Sequence, residues 1–294
     1  MSFDRNSSCW ICECENVTQV KVANIPSSVT AKDFTITDDH YGFTASIYQC
    51  QKCGFMQCHD MGEVLPFYEE LEDSLYEQGR PERTKMARDL LKSLQNFQPC
   101  GRLLDIGAGS GMLVEEALKM GYQAEGVEPS RYLHGLAQEH KLPVQLGAFP
   151  HVKLNPPYDI ITLVDVIEHF PNPMHILSQV NTMLSDTGVG LVTTPDVGSF
   201  FARIMGFNWW HYRTAHIGYF DLKTLTRALT KSGLKPLKVS RPGWYFSLDY
   251  LTIRLNKILP SLICLPVPKI LGKFTVPLNL FDSLLIVFKK EEML

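Results

Sequence analysis

The chain has 294 residues, enough to bury a full core and to carry one large domain with an appendage. Its 28 basic and 31 acidic residues leave a net charge of −3, so no global positive field holds a polyanion and nucleic acid is disfavoured as a partner. The N-terminal MSFDRNSSCW has no basic segment followed by an apolar core, so no secretory signal is read there and a reducing cytoplasm is the expected compartment.

In that setting cysteines point to metal rather than disulfides, and six of the eight precede residue 60. Cys9-Trp-Ile-Cys12 and Cys50-Gln-Lys-Cys53-Gly54 are two CxxC knuckles. Each turns two thiolates toward one point, and together Cys9, Cys12, Cys50 and Cys53 supply the four soft ligands of a tetrahedral zinc. The 37 residues between the pairs exceed the usual ribbon spacing, and β-like runs at 19–25, 34–37 and 44–49 are expected to carry the chain out and back. A closed four-cysteine site has no position for water, so the expected zinc is structural; Cys14, Cys58 and His59 are spare candidates. Residues 1–62 are therefore read as a zinc-ribbon-like β module. Residues 63–98 are charged, with Leu71, Leu75, Met86, Leu90, Leu91 and Leu94 as apolar positions, and read as a helical connector and lid.

Residues 102–130, RLLDIGAGSGMLVEEALKMGYQAEGVEPS, pack a strand, a glycine turn, a helix and a second strand ending in Glu128. Glycines at 107, 109 and 111 permit a sharp turn and close approach to a ligand, with a helix N-terminus behind them. The dinucleotide fingerprint GxGxxG fails at Met112, and the spacing is GxGxG. The pattern fits an adenosine cofactor without phosphates, its ribose hydroxyls donating to Glu128. Further strands are expected near Val144, Ile160 and Leu191 and helices near Tyr132, Ile176 and Leu225, which makes a doubly wound sheet. The strand at 159–164 ends in Asp165, followed by Glu168, His169 and the proline loop Phe170-Pro171-Asn172-Pro173. The polar and aromatic segment 209–220 holds His211 and His216 ahead of a helix capped by Asp221.

The ordered motifs LLDIGAGSG, GVEPS, YDIITLVDVIEHFPNP and GLVTTPD resemble those of the class I S-adenosylmethionine-dependent methyltransferases, over roughly residues 90–290. The resemblance implies an α/β, Rossmann-like, seven-stranded sheet across 99–294, mostly parallel with the last strand antiparallel. It implies that Asp105 and the loop Gly107, Ala108, Gly109 and Gly111 orient the methionine end of S-adenosylmethionine. Glu128, beside Pro129, would take the ribose, Ala148 with Phe149 would flank the adenine, and Asp165 would sit at the cofactor edge. It also makes His169 a general base or substrate hydrogen-bonding group, whose unperturbed pKa near 6.5 suits proton removal from a hydroxyl. His216 matches a histidine that stands before a Tyr-Phe pair in this group, so three histidines compete for one role. In some relatives an ExxEH arrangement holds a divalent ion; Asp165, Glu168 and His169 have that spacing here.

Residues 244–279 precede the last strand as an insertion, expected to be a helical cap on the sheet edge or a dimer surface, with peripheral membrane contact as the alternative. Pro260, Pro266, Pro268 and Pro277 break its apolar runs, so no membrane span is expected. The resemblance implies methyl transfer to a small molecule: a sugar, a nucleotide-linked sugar or a surface-glycan precursor. A zinc-containing ribosomal RNA base methyltransferase and a binding protein that kept the fold without catalysis are the alternatives.

Overall fold

The computed structural model describes residues 8–26, 28–37, 41–258 and 274–291. In the N-terminal segment β1 (Val17–Lys21), β2 (Ile47–Cys50) and β3 (Met56–Gln57) pair antiparallel. The expected run at 34–37 is instead a 3-10 turn, Ala31–Phe34, closed by a Thr30–Asp33 capping box that outweighs local β propensity. Two helices follow, α1 (Leu65–Glu69) and α2 (Arg80–Gln95). Helix α2 buries Leu90, Leu91 and Leu94 as expected, whereas Leu75 is exposed in the turn before it.

The large sheet contains β4 (Arg102–Ile106), β5 (Gln123–Glu128), β6 (Val144–Leu146), β7 (Tyr158–Val164) and β8 (Leu184–Pro195). Between and after these run α3 (Met112–Lys119), α4 (Arg131–Glu139), α5 (Pro173–Met183) and α6 (Phe200–Met205). Then come β9 (Gly218–Tyr219), α7 (Leu222–Lys231), β10 (Leu234–Ser240), β11 (Trp244–Ser247), α8 (Leu248–Ile258), β12 (Thr275–Leu278) and β13 (Ser283–Lys290). Seven strands join in the order β10-β13-β8-β7-β4-β5-β6, and β13 runs antiparallel to both neighbours. The doubly wound, mostly parallel α/β sheet with an antiparallel last strand is therefore present.

Burial on both faces explains the apolar strands. Leu103, Ile160, Leu191 and Val287 face one core with α2 and α3, while Leu104, Ile161, Val192 and Ile286 face the other with α5 and α7. Helix ends are set by local chemistry: Ser130 caps α4, Asn172 caps α5 ahead of Pro173, and Asp221 with Thr224 boxes α7.

The small N-terminal sheet does not end at residue 62. Its order is β1-β2-β3-β9, so a strand from the large domain completes it, with Met56 opposite Tyr219 and Gln57 opposite Gly218. Phe55 packs on Phe220, and Lys231 Nζ donates to the Ile11 carbonyl at 2.9 Å.

The insertion is only partly helical: β11 and β12 form a two-stranded antiparallel sheet around α8. Its β-branched and aromatic ends, Trp244–Ser247 and Thr275–Leu278, favour pairing over a helix. Of the breaking prolines only Pro277 lies within the described residues; 259–273, with Pro260, Pro266 and Pro268, lies outside them. No helix among the described residues is long and apolar enough to cross a membrane.

Candidate active site

At the carboxyl ends of β4, β5 and β7 lies a cavity of about 1320 Å³. Open α/β sheets bind ligands at this edge. Asp105, Gly107, Ala108, Gly109, Glu128, Pro129, Ala148, Phe149 and Asp165 line it, and Gly111 does not. Gly111 caps α3 behind the loop. Gly107 and Gly109 adopt φ of 72° and 56°, where a side chain is strained, and a Cβ on Gly109 would come 2.6 Å from the Tyr76 hydroxyl oxygen.

Glu128 is 6 % exposed and accepts the Gly109 N–H on one oxygen and the Ser130 N–H on the other, each at 2.8 Å. Each oxygen keeps a lone pair that can accept a further hydrogen bond. Asp105 is held by the Thr162 hydroxyl at 2.7 Å. Burial pushes both the Asp105 and the Glu128 carboxyls up to about 7, against the pull of these hydrogen bonds. Hydroxyl and ammonium donors on a ligand favour the ionised forms. With these two carboxyls as the expected cofactor anchors, affinity for S-adenosylhomocysteine is expected to fall as pH drops below about 7, by up to about ten-fold per unit for each group that must ionise, with proton release on binding that is largest near and below pH 7 and fades above it. Calorimetry in two buffers of different ionisation enthalpy measures this, and a flat affinity from pH 6 to 8.5 contradicts it.

Asp165 takes a positive φ of 51°, with its N–H and carboxylate both bonded to the Thr193 hydroxyl, at 3.0 and 2.8 Å. The turn carries the chain into Glu168 and His169 on the far side of the cavity. His169 Nδ1 lies 2.8 Å from the Ala215 carbonyl, an acceptor only, so Nδ1 carries the proton and Nε2 the lone pair. The Tyr68 hydroxyl, 2.6 Å from the same nitrogen, donates to Ala215 O at 3.1 Å. His216 Nδ1 points at the His211 carbonyl, 2.9 Å away, and is assigned the same tautomer. Burial holds His169 down at about 4 and His211 at about 3, and burial together with the other histidines and Arg213 pushes His216 well below its ordinary value. All three are neutral imidazoles at pH 7.

The rings of His169 and His216 meet edge to face at 4.9 Å. Glu168 is 1 % exposed and bonded to the Thr194 hydroxyl at 2.9 Å through one oxygen; the other oxygen is buried without a partner. Glu168, His169 and His216 each place one ligand atom within 4.8 Å of the others. Asp165, which has the ExxEH spacing with Glu168 and His169, turns instead to Thr193, and His216 takes its place beside them. The His211 ring stacks on that of His216 at 5.9 Å without joining this group of ligand atoms, and its Nε2 lies 3.7 Å from Asp282.

The four cysteines of the two knuckles converge: Cys9 to Cys53 and Cys12 to Cys50 are each 3.5 Å between sulfurs, and all four sulfurs lie within 4.8 Å. Tetrahedral bonds of about 2.3 Å to one ion bring thiolates about this close, so the donor set fits zinc. Cys14 closes the first knuckle only through its backbone, and Cys58 is buried elsewhere, against the Tyr219 side.

Residues 77–239 match the family model described as a methyltransferase domain. The chain belongs to this methyltransferase family. With its sheet order, it is a class I S-adenosylmethionine-dependent methyltransferase domain. Curated relatives include the ubiquinone biosynthesis O-methyltransferase of Aeromonas salmonicida, 30 % identical over 101 residues, which are 32 % of this chain and 42 % of that protein. The enzyme of the same name from Aliivibrio fischeri is 30 % identical over 115 residues, 36 % of this chain and 49 % of that protein. The chain therefore spans less than half the length of these relatives. Among solved structures, an S-adenosylmethionine-dependent methyltransferase from Archaeoglobus fulgidus aligns with a TM-score of 0.52 at 18 % identity, covering 74 % of this chain and all of that one. A putative methyltransferase bound to the Haloferax volcanii Trm112 activator aligns at 0.53 and 13 % identity, covering 74 % and 93 %. Those two likenesses are of fold.

In the methyltransferase cavity the sequence-derived histidines meet residues that no motif announced. Tyr68 in α1 orients His169, Tyr76 covers the glycine loop, Arg213 borders the histidines and Asp282 receives the Trp210 indole N–H at 2.9 Å. Tyr68 and Tyr76 carry only the generic aromatic signal of a connector helix. Removing the Tyr68 hydroxyl leaves His169 Nδ1–H to the Ala215 carbonyl alone. Tyr68→Phe is expected to lower kcat about three- to ten-fold with S-adenosylhomocysteine affinity unchanged, measured by turnover and calorimetry.

Proposed function

We propose that the protein transfers a methyl group from S-adenosylmethionine to a hydroxyl oxygen of a small sugar-containing acceptor, and that the four-cysteine knuckle holds structural zinc. The observation that carries this reading is the single cavity whose one wall is the glycine loop and Glu128 and whose opposite wall is the histidine cluster. Ligand cavities usually run to about 300–1,000 Å³, and this one has room for a cofactor and an acceptor together. The O-methyltransferase names of the relatives support oxygen as the acceptor atom. Aromatic walls at Trp210, Tyr245 and Tyr250 offer faces for a sugar ring.

S-adenosylmethionine supplies an electrophilic methyl on sulfur. The chain's own work would be alignment: Glu128 and Asp105 would hold the donor, α2 and the β11–β12 insertion line the cavity beside it, and the neutral Nε2 of His169 or His216 would take the hydroxyl proton. The Glu168, His169 and His216 group supports a second reading, transfer assisted by a divalent ion, in which added Mg²⁺ or Mn²⁺ raises the rate.

The test is transfer of labelled methyl from S-adenosylmethionine to fractionated small-molecule extract, with calorimetry of the cofactor alone and metal analysis of the purified chain. Cofactor binding, label in a small-molecule fraction and one zinc per chain support the reading. Binding without any transfer leaves the non-catalytic alternative ahead, and label in ribosomal RNA supports the RNA alternative. Absence of stoichiometric zinc overturns the metal assignment.

A further inference from the structure

Two arginines on the cavity wall, Arg83 and Arg213, form no ion pair among the described residues. They serve different halves. Arg83 stacks over Tyr76 at 4.3 Å, beside Gly109 of the cofactor loop. Arg213 lies in the other half, one turn before His216, whose N–H bonds to the Arg213 carbonyl at 3.1 Å. Its guanidinium is pinned from behind: one nitrogen donates to the Ile36 carbonyl at 3.1 Å and another to the Thr35 carbonyl. Its Nε is buried without a partner. Neutral carbonyls fix the fork in place, and Glu168 acts on it through space without an ion-pair contact, so the guanidinium has no bonded counter-charge.

The acids facing the same space are already held by neutral donors. Asp165 is bonded to Thr193, Glu168 to Thr194 and Asp282 to Trp210. What the acceptor half lacks is therefore of two kinds. Glu168 Oε1 has no partner, the imidazole lone pairs of His169 and His216 take a donor, and Arg213 has no bonded anion.

We infer that the acceptor is a hydroxyl-bearing anion, a carboxylate or phosphate group pairing with Arg213 while its neighbouring hydroxyl is presented to the His169–His216 pair. This rests on the proposed methyl transfer and narrows its substrate class. It explains why the cation is placed on the turn that also sets His216, since one short turn then fixes both the charge and the proton acceptor against the substrate. Each terminal nitrogen of Arg213 spends one hydrogen on a backbone carbonyl and keeps a second for an anion, in a fixed direction that a mobile ammonium lacks.

The experiment uses the full chain saturated with S-adenosylhomocysteine and two matched pairs of probes, salicylate against phenol and glucose 1-phosphate against glucose, by calorimetry. The anionic member of at least one pair is expected to bind about ten-fold or more tightly than its neutral partner. Which pair responds separates a carboxylate from a phosphate. Arg213→Gln is expected to abolish that preference with S-adenosylhomocysteine affinity within about two-fold, and Arg213→Lys to retain part of it. Equal affinity within both pairs, no binding by any of the four, or a preference that survives in R213Q overturns the inference. Should R213Q fail to bind S-adenosylhomocysteine, the wild-type comparison and R213K decide it. Labelled methyl transfer to a neutral acceptor alone would retire the anion and leave the methyltransferase reading standing.

Discussion

Cys53→Ser is expected to cost the protein its zinc and about 10 °C of melting temperature, and to cut methyl transfer at least about 100-fold while S-adenosylhomocysteine binding changes only a few-fold. The separation of the two effects follows from topology. Cys50 ends β2, β2 pairs with β3, and β3 pairs with β9, which begins two residues after His216. The Cys58 N–H bonds to the Ile217 carbonyl at 2.8 Å, and the Ile217 N–H bonds onward to the Glu168 carbonyl at 3.0 Å. The knuckle thus holds the edge on which the His216 strand is laid against Glu168. Structural zinc contributes folding free energy directly, and losing one of four ligands removes about 3–4 kcal/mol, worth roughly 10 °C in a domain of this size. The cofactor half stands on β4, β5 and α3, outside that sheet. Cys14→Ser serves as the control, since the Cys14 thiol is not among the four that converge. Zinc content, calorimetric melting, cofactor titration and turnover give the four readouts. Full turnover by a zinc-free C53S protein would falsify the coupling.

The parts that were legible in the sequence are those whose physics is local. Strands β4, β7 and the second half of β8 are buried on both faces, and such strands are mostly apolar runs. The glycine loop is legible because its positive φ values exclude side chains. Strands β3 and β9 have two residues each, too short for any period, and they form only because a distant edge is waiting. For the same reason the merging of the N-terminal module with the histidine loop was not visible at the residue level. Tyr68 meets His169 across 101 positions of sequence, and Arg213 meets Thr35 and Ile36 across about 177. Neither contact leaves a spacing to count. His169 and His216 could be named from their motifs, but their mutual approach, the exclusion of Asp165 from their cluster and the stacking of His211 on His216 are products of tertiary packing.

Glu128→Gln is the most severe of the conservative changes, expected to weaken S-adenosylhomocysteine binding about 100-fold while altering no volume. The carboxylate accepts one backbone N–H on each oxygen, from Gly109 and from Ser130. An amide has one oxygen and one NH₂, so whichever way it is turned, its donor faces one of those two backbone donors. That side is 6 % exposed and cannot recruit bulk water to relieve the clash. A buried donor left unsatisfied costs about 1–3 kcal/mol, and a ribose hydroxyl loses its charged acceptor besides, which together amount to roughly two decades of affinity. The apo protein is affected less and in a pH-dependent way. Burial raises the Glu128 carboxyl to about 7, so in the absence of cofactor its contribution to folding is fully present below the unfolded value and is lost as pH rises through about 7. Gln carries no such titration. The stability gap between wild type and E128Q should therefore drift in favour of the variant between about pH 5 and 8 without cofactor, while cofactor saturation restores the wild-type advantage. Thermal melts across that range, with and without S-adenosylhomocysteine, measure both trends. Equal cofactor affinity in the two proteins would remove Glu128 from the binding site and leave Asp105 and the glycine loop as the anchors on that wall.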